Sequence, residues 1–144
     1  MEQCCCNDTK TRLVYSCSGC ADVGEIADQV ARKLTRDGYG KMTCLASISA
    51  GISGTIASAK GADENVAIDG CSVACARKTL ENIGVKPTEA YFLTDMYLEK
   101  GKTTVSEEII AVVSEQIKQG IASEVPPKQE QGKNKNAGWF CGSC

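Results

Sequence analysis

The chain has 144 residues, among them ten cysteines and no histidine, and a formal net charge of −2. Hydrophobic residues make up 42%, charged residues 24% and aromatics 5%, the balance expected of one globular domain. A near-neutral chain lacks the basic footprint of a nucleic-acid binder, and without histidine there can be no Ser-His-Asp or Cys-His pair and no His-ligated metal.

The N-terminus, Met1-Glu2-Gln3-Cys4-Cys5-Cys6, has no basic start followed by an apolar stretch, so no signal peptide is expected. The expected location is the reducing cytoplasm, where clustered cysteines read as metal ligands or redox thiols rather than disulfides. Residues 1–11 form a Cys-rich segment ahead of the domain.

A pattern of short apolar run, small-residue loop and helical periodicity then repeats four times. The first strand is expected at Arg12–Ser16. A helix follows from Val23 to Leu34, with Val23, Ile26, Ala27, Val30, Ala31 and Leu34 on one face. Asp22 and Glu25 have capping-box spacing at its start. The second strand is expected at Met42–Ala46, then the Ser/Gly-rich Ile48–Gly54 and a short helix to Lys60. This uncharged stretch is ~18 residues long, but four Ser, two Thr and two Gly within it argue against a membrane span.

The third strand is expected at Asn65–Ile68, followed by Asp69-Gly70-Cys71 and a helix from Ser72 to Ile83 with Val73, Ala76, Leu80 and Ile83 inward. The fourth is expected at Ala90–Leu93. Thr104 and Glu107 then have capping-box spacing for a helix to Ile121, whose inward face would be Val105, Ile109, Val112, Val113 and Ile117. From Ser123 the composition turns to Pro, Lys, Gln, Gly and Asn, the mark of a linker, and 123–144 is a tail ending in Cys141-Gly142-Ser143-Cys144.

Strands alternating with helices imply right-handed βαβ units. The expected fold is α/β: a three-layer, Rossmann-like or flavodoxin-like open parallel sheet of four strands, order 2-1-3-4, helices on both faces, spanning 12–122. Ligands of such sheets bind at the carboxyl ends of the strands. Cys17 and Cys20 follow strand one, Cys44 lies near the end of strand two, and Cys71 and Cys75 follow strand three. Five sulfurs from three loops are therefore expected at one rim.

Four thiolates suit a borderline-soft ion such as Zn²⁺, and helix N-termini at the same loops would offset their negative charge. A thiol oxidoreductase or sulfur-handling enzyme using Cys17 and Cys20, and an iron–sulfur carrier drawing on the terminal cysteines, are the alternatives. Asp22, Asp69 and Asp95 also fall at the rim, where a carboxylate can act as a general base or cap a helix. Gly19-x₄-Gly24 has the spacing of a phosphate loop, but Glu25 stands where the lysine belongs, which excludes that reading.

The segment Ala67-Ile68-Asp69-Gly70-Cys71-Ser72-Val73-Ala74-Cys75-Ala76 resembles the defining stretch of the DGC-domain family. Tyr15–Gly24, Met42–Ala46 and Phe92–Met96 are similar to that family too. The resemblance implies zinc bound through four cysteines: Cys71 and Cys75, with Cys17 and either Cys44 or Cys20 completing the set. It assigns no catalysis.

Overall fold

A computed structural model describes residues 10–121. The Cys-rich start with Cys4, Cys5 and Cys6, and the tail with Cys141 and Cys144, lie outside these residues.

Four parallel strands form one sheet in the order β2-β1-β3-β4, the order expected from the alternation of elements. They are β1 (Arg12–Ser16), β2 (Lys41–Met42), β3 (Glu64–Asp69) and β4 (Glu89–Phe92). Strand β1 pairs with β3 along its whole length, from Arg12 opposite Glu64 to Ser16 opposite Ile68. Side chains alternate across the pleat. Val14, Val66, Ile68 and Tyr91 face one core, and Leu13, Tyr15 and Ala67 face the other.

Helices α1 (Asp22–Arg36) and α5 (Glu107–Lys118) cover the first face; α2 (Leu45–Ser49), α3 (Ser53–Gly61) and α4 (Cys75–Asn82) cover the second. The stripe read from the sequence in α1 is buried throughout, from Val23 to Leu34. Among the described residues no helix is long and apolar enough to cross a membrane.

Four local expectations change. Strand β2 stops at Met42: Thr43 donates one last ladder bond to Val14 O at 2.9 Å, and the chain turns at Cys44 into α2. Cys44 is thus a helix cap and not a strand residue. Helix α4 begins at Cys75, three residues later than Ser72, because residues 71–74 close a turn through Ala74 N to Cys71 O. Ala74 takes a left-handed conformation there (φ 59°), and Val73 points to solvent instead of the core.

Helix α5 is capped by Ser106, whose Oγ accepts from Ile109 N, so the Thr104 cap is not made. Its buried face is Ile110, Val113, Ser114 and Ile117, with Val112 exposed. Ala21 occupies the cap position of α1 without a side-chain cap, and Asp22 is the first helical residue. The Asp22 carboxylate accepts from Val23 N of its own helix and also from Gly101 N and Thr103 N, all at 2.8 Å, fastening the loop before α5 over the start of α1. These bonds hold its pKa below the usual carboxylate value.

Candidate functional site

The site is built on the carboxyl ends of β1 and β3. Cys17 follows β1 directly, and its N–H donates to Ile68 O at 3.0 Å, continuing the ladder. Its sulfur accepts the N–H of Gly70 at 2.9 Å. Gly70 has no room for a side chain: a Cβ would stand 2.8 Å from the backbone of Val23 and 2.9 Å from Gly24 N. Gly24 in turn lies against Gly19, where a Cβ would meet backbone at 2.9 Å. The small residues of both loops therefore let the ends of β1 and β3 press on the first turn of α1.

Asp69, the last residue of β3, is 1% exposed. Its carboxylate accepts Ala76 N at 2.7 Å and Arg77 N at 3.1 Å, satisfying two of the open donors at the start of α4. Burial nevertheless raises its pKa, the two N–H bonds offsetting only part of that cost. Asp69 is thus a positioning group for Cys75, the first residue of that helix.

Burial pushes the half-buried Cys17 thiol up to about 11, the Gly70 N–H pulling against it. Negative charge at Asp69, Cys75 and Cys71 pushes it further in the same direction, which makes those three groups its electrostatic neighbours. Cys71 is half-buried, with the Lys100 ammonium 3.8 Å from its sulfur. Lys100 belongs to the loop that Asp22 fastens.

Cys17, Cys44 and Cys75 also line one cavity of about 810 Å³, bounded further by α1 and α2. Cys20 and Cys71 are not in that wall. Cys44, Cys75 and Cys20 are exposed, the last in the loop between β1 and α1. Asp95 lies in a 3-10 turn (Leu93–Met96).

As a donor set these residues fit a soft ion in kind, being sulfur without imidazole. In position they do not form a closed set: among the described residues, no three His, Cys, Asp or Glu side chains stand together as an ion would require.

Sequence reasoning did not single out Arg32, Arg36, Ser16 or Lys100 as members of this region. The arginines have the i, i+4 spacing of one helix face, which a solvated face shows equally well. Lys100 is 29 residues from Cys71 in the chain, and no local pattern links the two.

A family model described as the DGC domain matches residues 13–117, most of the chain and all four strands but the first residue of β1. The chain belongs to the DGC-domain family. The Asp-Gly-Cys signature has a physical reading here: Asp69 holds the start of α4, Gly70 permits the close approach and donates to Cys17, and Cys71 lies beside that contact. The DGC domain of this chain is also similar to the anaerobic and virulence modulator AnvM of Pseudomonas aeruginosa strain PAO1. The two are 31% identical over 93 residues, covering 65% of this chain and 71% of AnvM. No solved structure matches.

Proposed function

We propose that this DGC domain is a thiolate metal-binding protein, with zinc the ion its donors suit best. Cys17, Cys71 and Cys75 would be the core of the ligand set, with Cys44 or Cys20 completing it, once their loops draw together from their open arrangement. The observation that supports the reading best is that Cys17, Cys44 and Cys75, sulfurs from three loops, line one cavity at this sheet edge, with Cys71 and Cys75 both adding to the rise of the Cys17 pKa. A bound ion would replace the thiol protons and lock the β1 and β3 loops together. Cys75 at the first position of α4 lends the positive end of that helix to the negative charge of the thiolates.

Thiol–disulfide exchange through Cys17 fits less well. Burial keeps that sulfur protonated, the reverse of what a nucleophilic thiol needs. The reading also leaves room for a role in the cytoplasm without nucleic acid as partner, in keeping with the net charge of −2.

Cobalt titration of the reduced, metal-free chain tests the proposal. The expected result is a thiolate-to-cobalt charge-transfer band that saturates near one ion per chain and is lost in both Cys71→Ser and Cys75→Ser. An unchanged band in those two variants, or none in the parent, would overturn it.

A further inference from the structure

The cavity beside the thiols carries chemistry that metal binding does not use. Arg32 and Arg36, one turn apart on α1, both line it. Arg32 is already engaged: its Nε donates to Asp28 Oδ2 at 2.7 Å, and Asp28 also accepts from Ser18 Oγ at 3.0 Å. Arg36 has no ion-pair partner among the described residues. Two arginines against one aspartate leave the wall with a single uncompensated positive charge.

Ser16 belongs to the same wall and is 3% exposed, yet its Oγ has no hydrogen-bond partner among the described residues. Leaving a buried hydroxyl unmatched costs about 1–3 kcal/mol, and a ligand atom that bonded to it, once the Ser16 side chain turned into the cavity, would recover that. Met42, Leu45 and Ala46 add apolar surface to the same wall. A cavity of about 810 Å³ is within the ~300–1,000 Å³ of small-molecule sites, which pair apolar walls with a few convergent polar groups.

We infer that this cavity binds a small organic carboxylate with an apolar body, its acid group on Arg36 and a second polar contact at Ser16. A guanidinium matches a carboxylate bidentately. One unbalanced positive charge suits a monoanion better than a doubly charged phosphate. The amides of Ala76 and Arg77 at the start of α4, which could otherwise receive a phosphate, are held by Asp69. The inference rests on Arg36 and Ser16 rather than on the thiols, but Cys17, Cys44 and Cys75 share the wall, so it is stated for the reduced, metal-free chain.

Benzoate is the probe and benzamide its neutral counterpart, titrated by ligand-observed NMR into the reduced, metal-free full chain. The expected result is saturable benzoate binding with Kd at or below about 1 mM, and benzamide about tenfold weaker. Arg36→Gln should weaken benzoate about tenfold. Ser16→Ala should weaken it without lowering the unfolding midpoint, because it removes an unmatched hydroxyl. Cys71→Ser should leave benzoate binding intact whatever it does to metal, which separates the two proposals. Absence of saturable benzoate binding, or binding that Arg36→Gln does not change, would overturn the inference. Displacement of benzoate by equimolar inorganic phosphate would overturn the choice of a carboxylate.

Discussion

Gly70 donates its backbone N–H to the sulfur of Cys17 at 2.9 Å, joining the loop after β3 to the loop after β1. The bond exists because Gly70 has no Cβ: one would sit 2.8 Å from Val23 backbone. Gly70→Ala should therefore destabilise the fold by about 1–3 kcal/mol, the range for overpacking a tight contact. Gly19→Ala is the control, since its Cβ would meet nothing within 4 Å and should cost under about 0.5 kcal/mol. Equilibrium urea denaturation of the two variants measures the difference, and equal midpoints would contradict it.

Asp69 ties the end of β3 to the start of α4 through Ala76 N and Arg77 N. Asp69→Ala opens both bonds and should cost about 1–3 kcal/mol. The same variant should bind cobalt more weakly, because Cys75 loses the register that Asp69 imposes. Asp69→Asn keeps one acceptor oxygen and should fall between the two. Denaturation and cobalt titration on the same samples check both effects.

Stability should decline in alkali. The Cys17 thiol moves from its ordinary 9.0 to about 11 in the folded chain, and the Tyr15 phenol from 10.0 to about 12, both through burial. Each group favours folding fully below its unfolded value, and that contribution is lost as pH climbs towards the folded one. The unfolding midpoint of metal-free protein should thus drop between pH 9 and pH 12. Cys17→Ser should flatten the lower part of the drop. Tyr15→Phe should flatten the upper part without loss at pH 7, because the Tyr15 hydroxyl is buried with no partner among the described residues.

Asp22 fastens the loop that carries Lys100 by accepting from Gly101 N and Thr103 N. In Asp22→Ala those two amides should exchange with solvent at least about tenfold faster, while the α1 core amides at Val30 and Ala31 keep their protection. Because the folded Asp22 pKa is depressed, its hold is present above the unfolded carboxylate value and is lost as pH falls through the folded one. Hydrogen exchange followed by NMR at neutral and acidic pH tests both statements.

Much of the architecture was legible in the sequence because it depends on period. The i, i+3, i+4 stripe of α1 and the four apolar runs sufficed for the sheet order and the side on which the cysteine loops emerge. The misread points are those where a single contact decides. Asp22 is not the cap residue of its own helix: it accepts from Val23 N and also reaches across 79 residues to Gly101. The left-handed Ala74 delays α4 until Cys75, although nothing in alanine signals φ 59°. Strand β2 ends at Met42, not Ala46, a boundary the sequence does not mark because Cys44, Leu45 and Ala46 suit a buried strand as well as a short helix. In the site, the positions of Cys17 after β1 and of Cys71 and Cys75 after β3 followed from topology, whereas the arginines and Ser16 of the cavity carried no pattern of their own.

Elemental analysis with a thiol count, on full-length chain purified without oxygen, tests the central claim most directly. About one zinc per chain is predicted for the parent, with no stoichiometric metal in Cys71→Ser or Cys75→Ser. Metal-free parent protein with all ten cysteines titrating as thiols, or metal content unaltered in both variants, would contradict it.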